Sequence, residues 1–269
     1  MSASDMCDRF DWSLRSSYDY VTQLIHRDWA WEWLRRHPEF QMAWWKSRDT
    51  FEIAFSDSTL TIIHANANTS ALKRWGCLCT GRPDIDARSA NVFWLPSQTA
   101  GILRMHAVPA NAKLDTTLFD LRRQPCPVSL LTMPDGMQHL LFNGTGHGIQ
   151  LAVSGASLLE PVYLLADSLL GRREAKSRIE ALHRYNDFIA GTPSPPSTNE
   201  QTKRLRQVLQ ALDGSLAGAS NRDIAIALFG PERVEADWTD PGENLRDRVR
   251  RAVKRGRDLM NGGYLKFLR

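Results

Sequence analysis

Cysteine is scarce in this chain: four residues among 269, at positions 7, 77, 79 and 126, with no C-x-x-C pair. Cys77 and Cys79 lack a second pair to complete a tetrahedral site, so the sequence predicts two buried thiols, no metal and no cofactor. Thiols this sparse and unpatterned fit a reducing compartment, and a cytoplasmic location is expected. Long apolar runs are missing too. The most apolar stretch, 149–170, is interrupted by Glu160, Pro161 and Asp167, which predicts no membrane span. The opening MSASDMCDRFDW has no basic segment leading into an apolar one, so no secretory leader is expected.

Catalytic patterns are equally absent. The seven histidines (26, 37, 64, 106, 139, 147, 183) are scattered and form no H-E-x-x-H, and Ser154-Gly155-Ala156-Ser157 is not a nucleophile elbow. Asp84 and Asp86 follow Pro83 and read as a solvated loop, not a carboxylate dyad. Gly144-Thr145-Gly146-His147-Gly148 is not followed by a helix carrying Lys-Ser/Thr, so a hairpin turn explains these glycines better than a phosphate cradle. An enzyme is not expected.

What is present is an ordinary globular composition, 42% hydrophobic and 24% charged, with an uneven charge distribution. Residues 200–269 hold 14 basic and 10 acidic residues, whereas residues 1–199 hold 20 of each. The whole net charge of +4 therefore lies in the last quarter, as expected of a nucleic-acid-binding end on a neutral body.

Periodicity predicts an α+β chain with a helical N-terminus, a small antiparallel β-rich middle and an all-α C-terminal domain. Residues 17–46 read as helix, broken at Pro38, and Trp29, Trp31, Trp33, Trp44 and Trp45 read as core or interface in preference to a base-stacking platform. Strands are expected at 51–55, 60–64, within ANVFWLPS and AGILRMHAVP, and in a meander of VSLLTM, MQHLLF and IQLAV. Residues 161–188 read as helix again. TPSPPSTN at 192–199 is the linker, which divides the chain into 1–50, 51–190, a 191–199 connection and 200–269.

Three helices are expected after the linker. TKRLRQVLQALDG buries Leu205, Val208, Leu209 and Leu212, with Gly214 as its stop. SNRDIAIALFG begins with Ser220 as N-cap and Asp223 in the capping-box position, and ends at Gly230-Pro231. After the long connection 231–242 comes NLRDRVRRAVKRGRDLM, with seven Arg and Lys residues and two Asp. Its apolar stripe runs from Leu245 through Val249, Ala252, Val253, Gly256 and Leu259 to Met260. Arg246, Arg250, Lys254 and Arg257 line one flank; Arg248, Arg251 and Arg255 line the other. Guanidinium groups on one rigid helix suit phosphates and guanine edges, both of which they bind bidentately. The arrangement describes a helix-turn-helix-like module, with a helical interaction domain showing a solvated basic face as the alternative.

The chain also resembles a known family over nearly its whole length. YDYVTQLIHRDWAWEWLRRHPEF at 18–40 is similar to the transcriptional regulator-like N-terminal domain of many proteobacterial proteins. LAGASNRDIAIALFG, Asp237-Trp238 and LRDRVRRAVKRGRDLMNGGYLKFL are similar to the C-terminal domain of unknown function in the same proteins, among them FseA-type excision activators and RovC-type secretion-gene activators. The resemblance implies a transcriptional activator for mobile-element excision or transfer, or for secretion genes. It implies binding to double-stranded promoter DNA, a homo-oligomer, and contact with RNA polymerase or an antiactivator. Arg222, Arg246, Arg248, Arg250 and Arg251 match the motif as DNA-contact candidates; Lys254 and Arg255 join them from the helix reading. Trp238, Gly263 and Tyr264 match as structural residues. An adaptor or antiactivator that binds a protein partner through the basic helix is the alternative.

Overall fold

The computed structural model describes residues 11–66, 70–143, 148–166, 175–191, 200–238 and 245–269. The expected turn at 144–147, the 192–199 linker and the Asp240-Pro241-Gly242 entry lie outside the described residues. The chain forms two compact units: Ile25–Pro195 with Leu265–Arg269, and Met1–Leu24 with Pro196–Tyr264.

The first unit opens with α1 (His26–Leu34) and α2 (Pro38–Ser47). Pro38 takes the first helical position, where no amide donor is required, so it starts α2 as it ends α1. Trp29, Trp31 and Trp33 are all buried; Trp31 meets the edge of Phe40 at 5.7 Å and its indole N–H donates to the Ile85 carbonyl. Glu32 is buried completely, yet it accepts from Arg35, Arg36 and the Ala87 amide, so the buried charge is matched on all sides. The tryptophans are thus core.

Among the described residues, ten strands and two α-helices follow: β1 (Phe51–Ser56), β2 (Leu60–Ala65), α3 (Ser70–Lys73), β3 (Cys77–Cys79), β4 (Phe93–Trp94), β5 (Leu103–Pro109), β6 (Leu118–Phe119), β7 (Val128–Thr132), β8 (Gln138–Phe142), β9 (Ile149–Gly155), β10 (Val162–Ala166) and α4 (Ala175–Ile189). Eight strands form one sheet in the order β1-β2-β7-β8-β9-β5-β10-β6, and β3 pairs with β4 separately. The expected meander is β7-β8-β9, antiparallel with Leu130 opposite Leu140 and Leu140 opposite Leu151. The α+β class holds, but the sheet is large and mixed, because β2 runs parallel to β7 and β5 parallel to β9.

Alternation sends Leu60, Ile62, Leu130, Leu140, Phe142, Leu151 and Val153 into one core, closed by α4 through Ala181 and Tyr185. Ile63, Leu131 and Leu141 point to the opposite face, against Leu78, Cys79 and Phe93. The helix expected from residue 161 is a strand at its start: Val162–Ala166 pairs with β5 over its whole length. A five-residue apolar run has no intrinsic period, and a neighbouring strand in need of a partner decided it.

The second unit is helical: α5 (Glu200–Leu216), α6 (Asn221–Phe229), α7 (Pro231–Asp237) and α8 (Leu245–Met260). Two expectations are corrected here. Gly214 does not stop α5, which continues to Leu216; the turn falls at Gly218, whose φ is +79°. Residues 231–237 are also a helix, started by Pro231 at its first position after Gly230 with φ +90°. The unit shares one core of Ala211, Ile224, Ala225, Val234, Leu245 and Val249.

The N-terminal segment completes this unit. A 3-10 stretch, Arg15–Gln23, buries Tyr18 and Val21 fully. The Tyr18 hydroxyl donates to Asp213 at 2.8 Å, and Gln210 donates to the Trp12 carbonyl at 3.1 Å. Gly214 is a glycine for a packing reason: a Cβ there would lie 2.8 Å from the Trp12 ring and 2.9 Å from Ile224.

Candidate nucleic-acid interface

The site is built on α8, and its orientation follows from its stripe. Leu245, Val249, Gly256, Leu259 and Met260 are buried, so the helix is fixed in rotation. At Gly256 α8 reaches the backbone of α5, where an added Cβ would lie 2.8 Å from Leu212 Cβ and 3.2 Å from the Val208 carbonyl. Gly262, with φ +115°, ends the basic segment, and Tyr264 is buried, as its structural reading requires.

Every sequence-predicted contact residue on α8 is exposed: Arg246, Arg248, Arg250, Arg251, Lys254 and Arg255. Arg222, in the first turn of α6, is exposed as well. They are not equivalent. Arg246 lies over the Trp238 ring at 5.3 Å from its centroid, and Arg248 lies over Phe229 at 4.7 Å. Arg250 is paired to Asp247 at 2.8 Å, while Arg257 donates to the Ser215 hydroxyl at 2.9 Å. Among the described residues no carboxylate pairs with Arg251, Lys254 or Arg255.

The two acidic residues of α8 have a definite place. At 3.6 residues per turn Asp247 and Asp258 fall about three turns apart, on the line opposite the buried stripe. They separate the two basic flanks, so the basic surface is two ridges and not a uniform face.

The α6 start is set by the expected capping box. Asp223 N–H donates to Ser220 Oγ at 3.2 Å, and the Asp223 carboxylate accepts from the Ser220 amide and hydroxyl. Those hydrogen bonds, the hydroxyl's first, hold the Asp223 carboxyl below its ordinary range. Asp223 is therefore engaged by the cap.

The placement of Arg246 and Arg248 over Trp238 and Phe229 does not follow from the spacing of α8, since neither ring belongs to that helix. Both are in fact half-buried, with one side on the core and a face left for a guanidinium. Other sequence candidates resolve simply. Asp84 and Asp86 each pair with their own arginine, Arg82 and Arg88, both at 2.7 Å. Cys77 and Cys79 are buried; burial pushes the Cys77 thiol well up and the Cys79 thiol to about 12. Among the described residues no group of three or more His, Cys, Asp or Glu could hold a metal ion, and no helix is long and apolar enough to cross a membrane.

Comparison with known families gives two matches. Residues 11–78 match the proteobacterial transcriptional regulator-like domain. Residues 168–269 match the family described as "T6SS, Transcription factor, DNA binding domain". No curated protein matches the chain.

Proposed function

We propose that the chain, whose two ends match a proteobacterial transcriptional regulator-like domain and a transcription-factor DNA-binding domain, is a cytoplasmic activator gripping duplex promoter DNA through α8. The observation that carries this is the pair of exposed arginine ridges on a helix held rigidly by its buried stripe. Phosphates are met by the exposed Arg222, Arg250, Arg251, Lys254 and Arg255, of which Arg250 exchanges its pairing with Asp247 for the phosphate. The genes served are those of mobile-element excision or transfer, or of secretion, a reading supported by the resemblance of both chain ends to such activators.

The active form is a homo-oligomer, and the sheet unit carries the contacts to other copies, to RNA polymerase or to an antiactivator. The outer strand β1 supports this reading: it ends the sheet and leaves Ile53 and Phe55 66% and 43% exposed. The role is regulatory and involves no chemical transformation.

The test is a mobility shift with the DNA upstream of the protein's own gene against random duplex of equal length. Preferential binding to the upstream DNA, lost in Arg246→Ala/Arg250→Ala with the fold intact, supports the reading. Equal and weak binding to both would favour an adaptor that uses the basic helix on a protein partner.

A further inference from the structure

The first two arginines of α8 differ physically from those that follow. Each lies over an aromatic ring from an earlier part of the helical unit: Arg246 over Trp238, which follows α7, at 5.3 Å, and Arg248 over Phe229, the last residue of α6, at 4.7 Å. Neither ring is on α8 itself. A second guanidinium, that of Arg233, approaches Phe229 only to 6.0 Å and is bound to Asp237 at 3.4 Å. Further along, Arg250 is held by a carboxylate, while Arg251, Lys254 and Arg255 have none among the described residues.

Stacking changes what a guanidinium can do. A guanidinium held over a ring is held without the carboxylate that would occupy some of its five donors. The ring attracts the cation and limits its rotamers, so less freedom is lost when the group later binds. Reading a guanine edge requires two parallel N–H donors held in a fixed direction, whereas a phosphate accepts a cation from many directions. A stacked arginine suits the first task and a mobile one the second. Position agrees: where a helix enters the major groove, its N-terminal residues are those that reach base edges. Arg246 and Arg248 occupy the first turn of α8, on its two sides.

We propose that Arg246 and Arg248 are the base-reading residues of this protein, and that Trp238 and Phe229 are positioning residues that aim them by stacking. Arg222, Arg250, Arg251, Lys254 and Arg255 then supply sequence-independent phosphate contacts. This division rests on the DNA-binding reading above and adds to it which cations give specificity and what prepares them.

The experiment uses the full chain and two duplexes, one from the upstream region it prefers and one random, across a salt series. Phe229→Leu keeps the apolar packing and removes the ring face. It lowers affinity for the preferred duplex about three- to tenfold, the contribution of one cation–π contact, and leaves random-duplex affinity and the salt slope unchanged. Arg248→Lys keeps the charge but loses the fork, and it lowers preferred-duplex affinity roughly 5- to 100-fold with the slope again unchanged. Arg250→Ala/Arg251→Ala weakens both duplexes alike and makes the slope shallower. Thermal unfolding checks that each variant folds, and Trp238→Leu and Arg248→Lys carry the test if Phe229→Leu does not. If Arg250→Ala/Arg251→Ala acts as stated while the ring variants and Arg248→Lys leave discrimination intact, the division of labour is wrong and the DNA reading stands. If no variant alters binding to either duplex, both fall.

Discussion

Gly256 decides how closely α8 sits on α5, and Gly256→Ala tests that contact. The new Cβ would lie 2.8 Å from Leu212 Cβ and 3.2 Å from the Val208 carbonyl, while real Cβ contacts keep beyond 3.0 Å. Leu212 is fully buried and its Cβ is fixed by the α5 backbone, so no side chain can swing aside. The helices must part by several tenths of an ångström. Two effects oppose each other. Alanine favours a helix interior over glycine by about 1 kcal/mol, whereas forcing a methyl group into a packed contact costs about 1–3 kcal/mol. The second is larger, so we expect a net loss of about 1 kcal/mol and a Tm lower by roughly 4–8 °C for a unit of this size. Hydrogen exchange of the α5 and α8 amides in the full chain reads it locally: both helices exchange faster and the sheet strands do not change. Slower exchange in α5 and α8 would mean the propensity term wins and the close approach is not a constraint.

Two further outcomes follow from the two units. Trp12→Ala removes the ring packed on Gly214 and Ile224 and should cost the helical unit about 2 kcal/mol, less than a fully buried tryptophan because Trp12 is half-buried. A chain starting at residue 25 should show weakened DNA binding in a mobility shift although all of 168–269 is present; undiminished binding would contradict the role of Tyr18 and Trp12. His139 is 4% exposed, its Nδ1 has no hydrogen-bond partner among the described residues, and burial pushes its pKa down to about 4. Its ordinary value is near 6.5, so the folded state binds fewer protons than the unfolded one between those values. The stability it contributes is complete above about pH 6.5 and is lost as pH falls toward 4, reaching about 2 kcal/mol at pH 5. Asp28, whose carboxyl burial pushes up to about 7, titrates in the opposite sense over this range, so the measurement is the difference between His139→Leu and the unmodified chain. Urea unfolding should show His139→Leu gaining stability at pH 5 relative to pH 8; equal effects at both would refute the buried neutral histidine.

How much of this was legible in the sequence depends on whether a signal was local. The α8 stripe and its exposed arginines, the Ser220–Asp223 cap, Pro38 at the start of α2 and the β7-β8-β9 meander all follow from residue spacing, and the structure shows each. Gly214 misled because a glycine near a helix end suggests a stop; here it makes room for Trp12, about two hundred residues away in sequence. Val162–Ala166 misled because β5 decided its state, and β2 joining β7 in parallel is a crossover that no local pattern encodes. The stacking of Arg246 and Arg248 depends on faces of Trp238 and Phe229 that a helical wheel of α8 alone does not contain. The acidic line of Asp247 and Asp258 was visible in the wheel, but its meaning required knowing which face of α8 is buried.

The central claim is that Arg222 of α6 and four cations of α8 meet DNA phosphates, and its most direct measurement is the salt dependence of binding to the preferred duplex. Five such contacts, Arg222, Arg250, Arg251, Lys254 and Arg255, give a slope of log K against log salt of about −4.5, or roughly a 500-fold loss between 50 and 200 mM. Arg250→Ala/Arg251→Ala should reduce the slope to about −2.7. A slope near zero, or one that the double substitution leaves unchanged in a folded protein, would contradict the account.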